Sequence, residues 1–217
     1  MPENEQKSPR IKICGVRTSE EALLAARLGA DFLGLNFHPP SPRYLDPEEA
    51  ALLAADIRRE TPDVGLVGVF VNRPLEDILA IEKTVGLDLL QFSGDETAAE
   101  MAPVADRAIK GFRISGSLDA DFAIGFDQVW GHLVDYRHPT LYGGSGESWD
   151  FSSLAGLKLT RPTFIAGGLN PDNVAAAIQA AAPWGVDVCS GIEAEPGRKD
   201  PELLGRFFKV IKENHHG

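Results

Sequence analysis

The chain has 217 residues, 43% of them hydrophobic and 24% charged, with a formal net charge of −11. This length allows one large domain or two small ones, and the composition is normal for a soluble globular protein. The negative charge argues against nonspecific nucleic-acid binding, and no apolar run reaches the roughly 20 residues of a membrane helix. The only two cysteines, Cys14 and Cys189, argue against a disulfide framework and indicate a reducing cytoplasm.

Residues 1–10 are polar and lack the apolar segment of a signal peptide. We therefore expect a disordered tail at 1–10, a domain at 11–214 and a short tail at 215–217. Within the domain, short apolar runs alternate with longer amphipathic stretches, which is the signature of βαβ units. Eight runs predict buried parallel strands at Ile11–Cys14, Phe32–Phe37, Leu66–Val71, Leu87–Phe92, Ala108–Phe112, Val129–Val134, Thr163–Ala166 and Val186–Cys189.

Helix start signals lie between these runs. Thr18 and Glu21 have the spacing of a capping box, in which each side chain accepts from the other residue's backbone N–H. Asp46, Asn170 and Asp200 each precede a proline, which predicts an N-cap followed by proline at the first helical position. The last helix should run to about Asn214, and a short one is expected around Leu118–Phe126, where Gly125 opposes it.

Eight strand–helix units of roughly 26 residues each predict a single-domain (β/α)₈ TIM barrel. A doubly wound open sheet is the alternative architecture. It rarely needs eight strands, and no GxGxxG motif follows the first run.

Barrel enzymes place catalytic groups at the C-terminal ends of their strands, where Cys14 and Asp135 are expected to lie. Taken alone, a strand cysteine is usually a small buried hydrophobe, and such an aspartate is usually a turn residue. At two strand tips, however, a thiolate could remove a proton from carbon while a carboxyl of raised pKa gives one to oxygen. The pair therefore predicts an isomerase.

Glycine-bearing turns follow the last two runs. Gly167 and Gly168 come after the seventh, and Ser190 and Gly191 after the eighth. In barrels these two loops often hold a phosphate with backbone N–H groups, so phosphate is the expected ligand. Arg43, after the second run, is either a carboxylate-binding group or a surface arginine. The five histidines lack metal-ligand spacing.

These residues lie in motifs that resemble the phosphoribosylanthranilate isomerase family of tryptophan biosynthesis. The likeness extends from about residue 11 to 211 and includes KICG (12–15), GADFLGLNF (29–37), SPRYL (41–45), VGVFVN (67–72), the GDE of QFSGDE (91–96), GGSG (143–146), AGGLNPDNV (166–174) and VDVCSGIEAEPGRKD (186–200). It implies a (β/α)₈ barrel that converts N-(5′-phosphoribosyl)anthranilate to the corresponding 1-deoxyribulose 5-phosphate. This Amadori rearrangement uses no metal or organic cofactor.

The resemblance also implies roles for individual residues. Asp135 would protonate the furanose ring oxygen, and Cys14 would remove the C2′ proton. Arg43 would bind the anthranilate carboxylate, and Asp187 would orient or relay protons near the sugar hydroxyls. The turns at Gly144, Gly167–Gly168 and Cys189–Gly191 would hold the phosphate. The family implies a monomer or homodimer with a small phosphosugar substrate and no nucleic-acid or membrane partner.

The sequence departs from the family pattern at three positions near the expected mouth. Ser93 replaces a usual histidine, Asn36 lies in GLNF instead of GFVF, and Cys189 lies where serine is common. Two alternative functions remain. A sister barrel acting on a histidine-pathway aminoaldose would use two aspartates, which Cys14 opposes. A phosphosugar-binding barrel without catalysis would need a broken acid–base pair.

Overall fold

The protein forms a closed barrel of eight parallel strands in a computed structural model that describes residues 8–114, 122–136 and 161–214. Each strand pairs with the next along the chain, and β8 pairs with β1 in a register that matches Ile13 to Val188. This closure confirms the predicted barrel and excludes the open sheet. The strands are β1 Arg10–Cys14, β2 Phe32–Asn36, β3 Gly65–Phe70, β4 Leu89–Phe92, β5 Ala108–Ile114, β6 Gly131–Tyr136, β7 Thr163–Ala166 and β8 Gly185–Val188.

All eight apolar runs become strands, with ends shifted by up to two residues. The largest shift is in β6, because Val129 and Trp130 lie in the turn before the strand, which continues to Tyr136. Asp135 is therefore the penultimate residue of β6. Cys189, expected to end the eighth strand, is instead the first residue after it, with non-extended backbone angles.

Among the described residues, six α-helices and a two-stranded ribbon surround the barrel. Asp46 and Asp200 cap their helices as predicted, each accepting a hydrogen bond from a first-turn N–H. The helices are α1 Ser19–Leu28, α2 Pro47–Glu60, α3 Leu75–Val85, α4 Ala98–Met101, α5 Val174–Ala181 and α6 Pro201–Asn214, and the ribbon consists of β9 Glu193–Glu195 and β10 Arg198–Lys199. No helix among the described residues is long and apolar enough to cross a membrane.

Two predicted helix starts are wrong in detail. The Thr18 hydroxyl accepts from the Glu21 N–H, but the Glu21 carboxylate binds the backbone N–H groups of Arg17 and Lys199 instead of completing a capping box. Asn170 caps a turn, accepting from the Asp172 N–H, and α5 begins only at Val174.

The expected helix at 118–126 falls partly outside the described residues, and its described part, 122–126, is a turn ending in coil. The predicted tails at 1–10 and 215–217 also lie largely outside them.

The core consists of two hydrophobic clusters, to which successive strand residues contribute alternately. The larger lies between the sheet and the helices, while the smaller fills the barrel with Val67, Leu89, Ile109, Leu133, Phe164 and Ala166. Aromatic rings of Phe32, Phe164 and Trp184 pack edge-to-face or tilted near the N-terminal ends of the strands. These rings close the barrel floor, so the opposite end is the mouth.

A buried carboxylate joins the loops at one side of the mouth. Glu96, 7% exposed, accepts hydrogen bonds from the Asn72 N–H at 2.7 Å and the Gly94 N–H at 2.9 Å. It also pairs with the buried Lys110 ammonium at 3.0 Å. The ends of β3, β4 and β5 therefore depend on one side chain.

We expect Glu96→Ala to lower the free energy of unfolding by roughly 3–5 kcal/mol, because it leaves the buried Lys110 charge unpaired. The matched control is Glu60→Ala, which removes the exposed partner of Arg59 and should cost less than about 1 kcal/mol. Urea denaturation measures both values. If the two variants lose the same free energy of unfolding, the ends of β3, β4 and β5 do not depend on Glu96.

Candidate active site

The alternation of side chains along the strands directs three predicted residues into the barrel. Ile13, Val134 and Val188 belong to the outer cluster, between the sheet and the helices. Because successive strand residues point to opposite faces, their neighbours Cys14, Asp135 and Asp187 point inward near the C-terminal ends. The structure thus brings the proposed acid and base to the same end of the same barrel.

A fully buried lysine lies beneath Cys14. The Lys12 ammonium, on the same strand, binds a carboxylate oxygen of Asp187 at 2.8 Å. Burial acts to lower the pKa of Lys12, but the charges of Asp187 and Cys14 outweigh it and raise that pKa above its ordinary value. The ammonium is therefore charged, and the pair places one fixed cation in the barrel interior.

Gly34 leaves the space in which the thiol and the ammonium converge. A Cβ at this position would lie 3.0 Å from the Cys14 Sγ and 3.2 Å from the Lys12 Nζ. Contacts this short would push one of the two groups away from β2. The glycine of the GLNF segment thereby allows the cation to approach the thiol.

Cys189 directly follows the neighbouring strand β8, as the next residue after Val188. Ile13 and Val188 are the last matched pair of β1 and β8, so Cys14 and Cys189 follow directly from that register. The hydrogen bond from Cys189, together with the Lys12 charge, outweighs burial and lowers the pKa of Cys14 to about 7. The same hydrogen bond raises the pKa of Cys189 well above its ordinary value. Cys14 is thus the thiolate of the pair, and Cys189 is the donor.

An ion-pair chain flanks the two thiols. Arg43 binds Glu193 through Nε at 2.8 Å and Nη2 at 2.6 Å, and the Lys199 ammonium binds the same carboxylate at 2.9 Å. Lys199 also donates to the Cys189 carbonyl oxygen at 3.1 Å and lies 3.7 Å from its Sγ. Burial acts to raise the pKa of Glu193, but its two cationic partners outweigh this and lower it. Together, the side chains of Arg43, Glu193 and Lys199 therefore carry one net positive charge.

The glycine of KICG makes room for Arg43. Gly15 has a φ of +73°, and a Cβ there would lie 2.7 Å from the Arg43 Cδ. The arginine stem therefore packs directly over the residue after Cys14. The role of Arg43 in binding substrate stays a prediction.

The glycine turns after β7 and β8 press against neighbouring backbone. Gly167, with a φ of +96°, has no room for a Cβ because the Tyr136 carbonyl oxygen occupies that space. A Cβ on Gly191 would collide with the Leu169 carbonyl oxygen. The loops that carry Gly167, Gly168, Ser190 and Gly191 are thus brought together. Gly144 lies outside the described residues.

The sequence analysis predicts no role for three residues of this site, which are Lys12, Glu193 and Lys199. For Lys12, the sequence could have indicated a role, because a charged residue inside a buried apolar strand requires a partner.

Two of the residues that depart from the family pattern form hydrogen bonds with residues close to them in the sequence. Ser93 accepts from Gln91 at 2.9 Å, and the Asn36 side chain accepts from the His38 N–H at 2.9 Å.

A cavity of about 560 Å³ lies over the ends of β3, β4 and β5. None of Cys14, Asp135, Arg43 or Asp187 lines it, but it includes Arg113, the register partner of Asp135 on β5. Its size is in the usual range for a ligand pocket. The cavity therefore adjoins Asp135 and lies apart from Cys14 and Cys189. Within the described ranges, no three His, Cys, Asp or Glu side chains are grouped as a metal site requires.

Comparison with known proteins identifies the family. Residues 11–210 match the model described as N-(5′phosphoribosyl)anthranilate (PRA) isomerase. The N-(5′-phosphoribosyl)anthranilate isomerase of Citrifermentans bemidjiense is 42% identical over 203 residues, covering 94% of this chain and 97% of the relative.

Solved structures agree. A phosphoribosyl anthranilate isomerase from Thermotoga maritima is 38% identical with a TM-score of 0.85, covering 94% of this chain and 99% of that one. Another phosphoribosyl anthranilate isomerase, in complex with reduced 1-(o-carboxyphenylamino)-1-deoxyribulose 5-phosphate, is 34% identical with a TM-score of 0.80 and the same two coverages.

The thiol hydrogen bond can be tested without substrate. We expect Cys189→Ala to raise the pKa of Cys14 from about 7 towards the ordinary thiol value of about 8.5, because the donor is lost. Cys189→Ser keeps a donor and should retain most of the lowering. The measurement is the rate of Cys14 alkylation by iodoacetamide against pH, and Cys14 is the only thiol in either variant. An alanine variant that still titrates near 7 would show that Cys189 does not stabilise the thiolate.

Proposed function

The chain belongs to the N-(5′-phosphoribosyl)anthranilate isomerase family, and we propose that the inward-facing residues at its barrel mouth carry out the reaction of that family. The enzyme converts N-(5′-phosphoribosyl)anthranilate to 1-(2-carboxyphenylamino)-1-deoxyribulose 5-phosphate in tryptophan biosynthesis. The observation that best supports the assignment of residues is a thiol of lowered pKa at the end of β1. It faces the same interior as a half-buried carboxyl near the end of β6.

Asp135 acts first as the general acid. It gives its proton to the furanose ring oxygen while the bond from that oxygen to C1′ breaks, which produces a Schiff base with the anthranilate nitrogen. Cys14 then removes the proton from C2′, and the electron pair of that bond moves to form an enolamine. Tautomerisation of the enolamine gives the ketose. One acid at oxygen and one base at carbon are sufficient for this sequence.

The lowered pKa suits Cys14 to the role of base. A thiol that titrates near 7 is about half ionised at neutral pH, so it is available as a base and still holds a proton strongly enough to accept one. An ordinary free thiol is only a few per cent ionised there. We propose that Asp187 holds Lys12 beneath the thiolate through one oxygen and orients the sugar hydroxyls through the other.

The anionic ends of the substrate require local cations, because the chain as a whole is negative. Glu193 occupies the Nε–Nη2 edge of Arg43, which leaves the Nη1–Nη2 edge for a second carboxylate. We propose that this edge binds the anthranilate carboxylate. The turns at Gly167–Gly168 and Cys189–Gly191, together with Gly144, bind the phosphate through backbone N–H groups.

We further propose residues 11–214 as the catalytic unit, acting in the cytoplasm as a monomer or homodimer. The two cysteines, both free of disulfides, support the proposed compartment.

Turnover of freshly made phosphoribosylanthranilate, followed by the loss of its fluorescence, tests the function directly. Asp135→Asn should lower kcat by on the order of 10²–10⁴, the usual contribution of a general acid. The control is Asp88→Asn, which alters a carboxylate that binds the Leu66 N–H and Arg58 at the opposite end of the barrel. Wild-type turnover no faster than spontaneous decay would refute the function. A loss under tenfold in the Asp135 variant would mean that another group protonates the ring.

Arg43→Lys tests the proposed carboxylate contact. Lysine keeps the charge but cannot bind Glu193 and a substrate carboxylate through two paired edges, so we expect kcat/KM to fall by roughly 10- to 100-fold, mainly through KM. The comparison substrate is phosphoribosylaniline, which lacks the carboxylate. If the variant loses as much with this analogue as with the natural substrate, Arg43 does not bind the carboxylate.

A further inference from the structure

We propose that Cys14 and Cys189 form an oxidation site at which a hydroperoxide converts the two thiols into a disulfide, reversibly removing the base from the enzyme. The loss of activity rests on the proposed role of Cys14. The formation of the disulfide does not depend on that role.

The backbone places the two cysteines at disulfide distance. Each cysteine directly follows one member of Ile13–Val188, the last matched pair of two parallel strands, and such strands lie roughly 4.8 Å apart. A disulfide requires a Cα separation of about 4.4–6.8 Å. Ile13 and Val188 face the outer cluster, so the residue that follows each of them points into the barrel, and both cysteine side chains face the same interior. Little backbone movement is needed to join them.

The surrounding charges activate one sulfur. The buried ammonium of Lys12 and the ammonium of Lys199, 3.7 Å from the Cys189 Sγ, favour the anionic form of the pair. Thiolates of lowered pKa are the cysteines that peroxides oxidise. A mouth that admits a phosphorylated sugar to Cys14 also admits a hydroperoxide, which is much smaller.

The reaction needs only the peroxide as co-reactant. The Cys14 thiolate attacks one peroxide oxygen, so that an S–O bond forms, the O–O bond breaks, and the departing alkoxide or hydroxide takes up a proton. Cys189 then attacks the sulfenic sulfur of Cys14. The S–S bond forms, the S–O bond breaks, and hydroxide leaves with the Cys189 proton as water. Two thiols and one peroxide thus give one disulfide, one alcohol or water, and one further water.

Cys189 also determines the fate of the oxidised base. A sulfenic acid with a thiol in contact condenses to a disulfide, which thiols can reduce, whereas an isolated one proceeds to an irreversible sulfinic acid. Serine at position 189, the residue common in the family pattern, cannot perform this second step. The neighbouring thiol therefore converts permanent damage into a reversible state.

The test is treatment of the purified full chain with hydrogen peroxide, followed by intact-mass and peptide analysis. The wild type should lose about 2 Da, both free thiols and its isomerase activity, and yield a Cys14–Cys189 cross-linked peptide. Dithiothreitol should restore the mass and the activity. At the same dose, Cys189→Ser should gain about 32 Da on Cys14, as a sulfinic acid, and should not recover.

Two outcomes would overturn the proposal. One is a wild type that gains oxygen on Cys14 without an intramolecular cross-link, and the other is a cross-link found only between separate chains. The mass measurement does not depend on catalysis. If untreated protein fails to turn over phosphoribosylanthranilate while the cross-link still forms, the proposed function is refuted and the thiol pairing is confirmed.

Discussion

The buried charge of Lys12 is the constraint on which the barrel mouth depends. An ammonium without solvent contact must be paired, because its desolvation cost is several kcal/mol. Asp187 supplies the pairing charge from the adjacent strand, which fixes β1 against β8 near their catalytic ends. The same ammonium then acts on Cys14 at close range, since Gly34 leaves no side chain between them. A structural ion pair and the ionisation of the proposed base are thus parts of one arrangement.

The ion-pair chain of Arg43, Glu193 and Lys199 offers local positive charge to an anionic substrate on a protein whose net charge is negative. The chain carries −11, yet a substrate with a carboxylate and a phosphate must enter the mouth. Glu193 holds Arg43 and Lys199 together, so that two cations share one anion beside the thiols. The 4% exposure of the Glu193 side chain keeps water from weakening this pairing. This group of three side chains therefore carries one net positive charge at one side of the mouth of a negative protein.

The sequence predicted the barrel and its eight strands because buried parallel strands are continuous apolar runs, a local property that survives folding. It also placed Cys14 and Asp135 near strand ends, from which alternation turns both inward. The Arg43–Glu193 contact could not be predicted, since it joins residues 150 positions apart, one in the loop after β2 and the other at the start of β9. The capping box failed for a similar reason. Glu21 has a tertiary partner, the Lys199 N–H, that outcompetes the local one.

The field at β1 also explains why a thiol suits this position better than a carboxylate. The cation and the hydrogen bond lower the pKa of Cys14 from its ordinary value to about 7, which brings a weak acid into the useful range for a base at neutral pH. The same influences acting on an aspartate would start from about 3.9 and move its pKa further down, leaving a carboxylate too weak to remove a proton from carbon. The environment that surrounds Lys12 is therefore matched to sulfur. The proposed susceptibility to oxidation follows from that match, because the ionisation required of the proposed base Cys14 also creates a nucleophile towards peroxide.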